Sequence, residues 1–193
     1  EKNFQKKDLT EVTNAIYKLS IYEEEGMKIL EAADKSGINF IDTADVYNDG
    51  NSEITIGKYI KNKRDSFFIT TKCGRKLNPH TAEMYTPEAM EQYIDDSRKR
   101  MDIDKIDLVL LHCPPTPVYK KKEIFDKLEE LKEKGKIANY GVSIEKVSEG
   151  IEAMNYGISA IEVIFNMFRL KPLEELFPMA KEKGVAIIVR VPL

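Results

Sequence analysis

The chain is poor in the features that would assign it to several large classes. Of its 193 residues only two are cysteine, Cys73 and Cys113. Two thiols cannot build a disulfide framework, so a reducing compartment, the cytoplasm, is expected. They and the two histidines also lack the close pairing of a zinc site, and no metal is expected. No apolar run approaches the ~20 residues needed to cross a bilayer. The first residues lack the pattern of a secretory leader, so no membrane partner is expected. Charge of one sign is scarce too: 30 basic residues face 33 acidic ones, for a formal net charge of -3. Without a basic stripe, no nucleic-acid partner is expected. The lysine-rich stretches 120–122 and 132–136 alternate with glutamate and read as solvated helix faces. No Gly-x-Gly-x-x-Gly follows any apolar run, which argues against the dinucleotide site of an open doubly wound sheet.

What the chain does have is an alternation. Short runs rich in Ile, Val and Phe lie at 12–19, 39–42, 67–72, 106–112, 137–143, 160–165 and 185–190. They show little polar alternation, as expected of parallel strands buried on both faces. Helical patterns fill the gaps at 23–36, 52–61, 87–100, 122–134, 145–155 and 172–183. Thr86-Pro87 supplies an N-cap and a first-turn proline, and Gly37, Gly135 and Gly184 stand at helix ends. Strands alternating with helices predict a parallel sheet, either doubly wound or closed as a (β/α)8 barrel.

The strand ends favour the barrel. They read Asp42, Lys72, His112, Ser143 and Arg190, with Glu162 inside the sixth run. In a (β/α)8 barrel all such ends open on one face, where the active site lies. Tyr47 follows Asp42 in a turn rich in Asp, Asn and Gly. A tyrosine is a weak acid, with a pKa of ~10, and a neighbouring ammonium favours its phenolate. Lys72, held charged by Asp42, would make Tyr47 a general acid toward a carbonyl oxygen, with His112 orienting that oxygen. Such a site suits hydride addition, with the hydride supplied by a cofactor.

The motifs "FIDTADVY", "FFITTK" and "IDLVLLHCPP", which carry Asp42, Tyr47, Lys72 and His112, closely resemble those of the aldo-keto reductases. The resemblance covers most of the chain from about residue 23 onward. It implies an NADPH-dependent oxidoreductase that reduces an aldehyde or ketone, with those four residues catalytic. It also implies cofactor contacts from Ser143 in "GKIANYGVS", Glu162 and Phe165 in "AIEVIFNMF", and Arg190 in "IIVRVPL". Glu162 stands where the family usually has Gln, and Ile144 where many members have Asn. The run 12–19 carries Thr13 and Ala15 where glycines are common. The expectation is a single barrel domain over 1–193 with about seven strands, the eighth strand and the C-terminal loops that bind the rest of the cofactor being either absent from the protein or outside these residues. The partner is a small carbonyl substrate, and the sequence leaves the oligomeric state open. A binding or redox-sensing subunit on the same fold is the alternative, since potassium-channel beta subunits resemble the family as well.

Overall fold

The computed structural model describes residues 23–192. The expected strand at 12–19 lies outside the described residues. The elements alternate from the start: α1 (Glu23–Lys35), β1 (Phe40–Asp42), α2 (Asn51–Ile60), β2 (Phe68–Cys73), α3 (Pro87–Met101) and β3 (Ile106–His112). They continue with α4 (Lys122–Glu133), β4 (Ile137–Ile144), α5 (Val147–Ala153), β5 (Ala160–Ile164), α6 (Leu176–Lys183) and β6 (Ala186–Arg190). The six strands form one sheet in chain order, and every neighbouring pair is parallel. Six parallel strands alternating with six helices, wound in sequence, make a curled part of a (β/α)8 barrel, with the strand ends on one rim.

Local chemistry sets the element ends. Helix α3 starts where the Thr86 hydroxyl accepts the Ala89 N–H at 3.2 Å, with Pro87 in the first turn. Helix α4 buries Ile124, Phe125, Leu128 and Leu131 on one face, a helical spacing, and leaves its charged residues outward. Two expected helices are shorter than their patterns. The Glu149 carboxylate accepts the N–H groups of Glu145 and Lys146, so α5 begins only at Val147. Pro178 has no N–H to continue an incoming helix, and it sits in the first turn of α6. The segment before it makes a separate 3-10 turn, Lys171–Leu173.

Alternation along each strand divides the residues between two faces. Ile41, Ile69, Val109, Leu111, Val142, Ile144, Ile161 and Val163 join the helices in the main core. Each such side chain contributes ~1.5–3 kcal/mol by burial. The opposite face holds a small apolar cluster, Leu108, Leu110 and Ala160 with Ile188 against them. Toward the C-terminal ends of the strands this inner face turns polar.

Candidate active site

Strand register brings the polar ends together. His112 pairs with Ser143, and Ser143 pairs with Glu162, so one lateral row crosses β3, β4 and β5. Arg190 lies two residues above that row, opposite Ile164. Asp42 pairs with Thr70, two residues below Lys72 on the same face of β2, and Lys72 reaches back to it.

Lys72 is almost completely buried, with 1% of its side chain exposed. Its ammonium donates to both Asp42 oxygens at 2.8 Å and to the Thr43 carbonyl at 3.0 Å. Glu162, also buried, lies 3.4 Å from the same nitrogen and 3.5 Å from Arg190 Nε. Burial opposes the charge on Lys72, but Asp42 and Glu162 outweigh it and hold the lysine above its usual range. Burial pushes the Glu162 carboxyl up, against the pull of Lys72.

Tyr47 enters from the turn after β1. That turn extends the ladder, with Thr43 N–H donating to Thr70 and Asp45 N–H to Lys72. Tyr47 then opens a tight coil in which Asn48 and Asp49 have φ of 48° and 53°. These are left-handed values that Asn and Asp tolerate better than other side chains. Gly50 completes it at φ 89°, where a Cβ would fall 2.7 Å from Arg100 Cδ. The Tyr47 ring lies 5.3 Å from the Lys72 ammonium and meets His112 edge-on, with centroids 6.0 Å apart. Burial, followed by the charges of Lys72, Arg75 and Arg190, drives His112 down to about 3, so its imidazole is neutral near pH 7.

These side chains line a cavity of about 740 Å³ formed by Asp42, Tyr47, His112, Glu162 and Arg190 with Phe40, Val46, Arg75, Cys113, Glu145, Ile188 and Val191. A cleft of about 800 Å³ at the other end of the strands is bounded by Arg64, Asp102, Asp104 and Asp107. There Arg64 is tied to Asp107 at 2.7 Å and to two carbonyls, and no tyrosine or histidine joins them. The mouth of the sheet is therefore the candidate site.

Of the eight site residues expected from sequence, Asp42, Tyr47, Lys72, His112, Glu162 and Arg190 meet there. Ser143 sits just behind, 1% exposed, and its hydroxyl reaches Glu162 at 3.3 Å. Phe165 does not meet the others. It follows Ile161 and Val163 in the alternation, so it points to the helix layer and packs on Phe177 with ring centroids 4.9 Å apart. This placement corrects its expected role under the nicotinamide. Sequence reasoning did not place Phe40, Val46, Glu145, Ile188 or Val191 at the site. Only Val191 carries a local signal, as the residue next to a polar strand end. Arg190 contacts the Ile144 carbonyl at 3.2 Å and Cys113 Sγ at 3.6 Å, which makes it a bridge across β4, β5 and β6. Among the described residues no group of three His, Cys, Asp or Glu could hold a metal ion.

A parallel β/α sheet in sequential order, with Asp, Lys, Tyr and His gathered at its mouth, defines a barrel-type protein with a polar strand-end site. The chain belongs to the aldo/keto reductase family, whose model matches residues 13–193. It is 30% identical over 192 residues to the uncharacterized oxidoreductase YqkF of Bacillus subtilis, covering 96% of this chain and 61% of that one. It is 33% identical over 183 residues to the NADH-specific methylglyoxal reductase of Escherichia coli, covering 86% and 53%. The holo form of aldo-keto reductase AKR11C1 from Bacillus halodurans superposes with a TM-score of 0.82 at 29% identity, covering 91% of this chain and 59% of that one. The chain thus spans somewhat over half the length of these relatives. No helix among the described residues is long and apolar enough to cross a membrane.

Proposed function

We propose that this chain carries the proton-delivering half of a nicotinamide-dependent carbonyl reductase, which converts an aldehyde or ketone to an alcohol. The observation that carries this reading is the bidentate Lys72–Asp42 pair set 5.3 Å from the Tyr47 ring, with neutral His112 at that ring's edge. A fixed ammonium stabilises the phenolate and so eases transfer of the Tyr47 proton to a carbonyl oxygen. Asp42 keeps that ammonium charged and in place. A neutral His112 retains one ring N–H with which to hold the same oxygen, without competing as an acid.

The residues also fit a nicotinamide group. Glu162 is engaged at ion-pair distance by Lys72 at 3.4 Å and by Arg190 Nε at 3.5 Å, while His112 Nδ1 is buried and makes no hydrogen bond among the described residues. A buried polar atom left open beside a cavity fits a polar ligand there. Glu162, with Ser143 behind it, would hold a carboxamide, and a carboxylate can accept but not donate there. NADPH supplies the hydride when bound. Family resemblance favours the phosphorylated nucleotide. The relatives' names point both ways: aldo-keto reductase yakc of Schizosaccharomyces pombe carries NADP(+) in its name at 33% identity, and the Escherichia coli relative carries NADH.

The test is reduction of a panel of aldehydes by the full-length protein with NADPH and with NADH, followed by nucleotide absorbance. Turnover with NADPH supports the reading. Tight NADPH binding without turnover of any aldehyde would replace it with a sensing or binding subunit.

A further inference from the structure

Two cationic side chains, Arg190 and Arg75, line the cavity at the strand ends, and a third, Lys72, is buried behind its wall against Asp42 and Glu162. Two of these three are already engaged. Lys72 is held by Asp42, Glu162 and the Thr43 carbonyl, and Arg190 by Glu162, the Ile144 carbonyl and Cys113. Arg75 is different. It has no ion pair among the described residues, while its neighbour Lys76 is paired with Asp49 at 3.3 Å.

Its place is fixed from below. Gly74 adopts φ +96° and lies so close to Tyr85 that a Cβ would come 2.7 Å from the ring. Tyr85 is buried, and its hydroxyl meets His80 Nε2 at 2.9 Å. Lys121 further clamps the Tyr85 carbonyl at 3.1 Å. The root of Arg75 therefore sits on a rigid lip just beyond the end of β2. From there its charge reaches into the mouth, where it is one of the forces keeping His112 neutral, and also toward His80. Arg75 lines both the main cavity and an adjoining recess with His80, Cys113, Thr116, Glu145 and Glu149.

We propose that Arg75 is a specificity-determining residue, which receives the carboxylate of an aldehyde or ketone whose carbonyl lies at Tyr47 and His112. This rests on the reductase reading above and names its substrate class, a carbonyl compound bearing one carboxylate at its far end. A guanidinium matches a planar carboxylate with two parallel N–H donors. The remaining charges of the cavity favour a single negative charge over a double one. Asp42 and Glu162 lie in its inner part and Glu145 on its rim, and none of these gains from a dianion. Glu149 is not available to compete for Arg75, because its oxygens accept from Thr116 and from the Glu145 and Lys146 N–H groups.

The test uses the full-length protein with nicotinamide nucleotide and matched aldehydes, 4-carboxybenzaldehyde against benzaldehyde, in wild type and in Arg75→Gln. Wild type is expected to prefer the carboxylate substrate by at least tenfold in kcat/KM. The variant is expected to lose that preference, chiefly through KM, because the contact is equal in ground and transition states. An unchanged ratio in the variant, or a wild type that prefers benzaldehyde, overturns the proposal. A larger preference for glyceraldehyde 3-phosphate over glyceraldehyde than for the carboxylate pair overturns the single-charge assignment. If no aldehyde is reduced, the reductase reading fails, and calorimetry with benzoate decides the site by itself. Benzoate binding that weakens at least tenfold in Arg75→Gln sustains an anion site at Arg75, and no benzoate binding by wild type removes it.

Discussion

Two aspartates three positions apart, Asp42 and Asp45, meet opposite fates. Asp42 points to the mouth of the sheet and receives both of its hydrogen bonds from Lys72. Asp45 is fully buried, and neither of its oxygens has a hydrogen-bond partner among the described residues. The groups facing it come from several elements: Glu53 on α2, Arg100 and Tyr93 on α3, Cys73 on β2, and Lys76 and Tyr85 beyond β2. Arg100 is drawn to Glu53 at 2.6 Å, so Asp45 has no cation of its own. Burial, and then Glu53, raise its pKa to about 7. Burial pushes the Asp42 carboxyl up as well, but in the mouth the paired Lys72 ammonium opposes that push, whereas beneath the Tyr47 turn no paired cation offsets the burial of Asp45. The first arrangement maintains an ammonium beside a tyrosine. The second makes the support of that turn sensitive to pH.

The largest expected effect breaks the paired side. Lys72→Met leaves Asp42 and Glu162 facing each other without their ammonium. Loss of one partner from a buried ionic group costs ~3–5 kcal/mol, and loss of the proton-tuning charge lowers carbonyl reduction by ~10²–10⁴-fold. Urea unfolding and steady-state kinetics report the two separately. Wild-type stability in this variant would mean that the pairing is not what holds the mouth together.

The unpaired side gives a smaller effect of opposite sign. The folded pKa of Asp45 lies above its ordinary value of 3.8, at about 7. The folded state therefore holds more protons between these limits, and stability is lost as pH rises through that window. Asp45→Asn removes this loss. Its advantage over wild type should be larger at pH 8 than at pH 5, by ~2–3 kcal/mol at 1.36 kcal/mol per pKa unit. Urea titrations at the two pH values test this, and a pH-independent difference would show that Asp45 is ionised in the folded protein.

The smallest effect falls on the turn that links the two sides. Gly50→Ala must place a methyl group at φ 89° and displace the Arg100 side chain that holds Glu53. The expected cost is ~1–2 kcal/mol, read as a lower thermal midpoint. No change would mean that the left-handed coil after Tyr47 is slack.

Much of this was legible in the amino-acid sequence because polar residues interrupt apolar runs. Asp42, Lys72, His112 and Arg190 end strands within a residue or two of where the runs stop, and a barrel rim follows from that pattern. Register was not legible. The row His112–Ser143–Glu162 depends on which residues pair across three strands, so the ionic contact of Glu162 with Lys72 could not be foreseen. Phe165 shows the cost of reading a strand end without its parity, for one position moves a ring from the mouth to the helices. Asp45 was hidden for a different reason. In "DTADVY" it looks like an ordinary turn aspartate, and only its burial against Glu53 marks it as unusual.

On the proposed function Tyr47, its phenolate favoured by the neighbouring Lys72 ammonium, delivers the proton in carbonyl reduction. The direct measurement is kcat/KM for an aldehyde in Tyr47→Phe, together with the Kd for NADPH from nucleotide fluorescence. The account predicts a fall of at least 100-fold in kcat/KM with the Kd changed by less than about threefold, within the range for a lost general acid. A variant that reduces aldehydes at the wild-type rate, with NADPH bound as before, would contradict it.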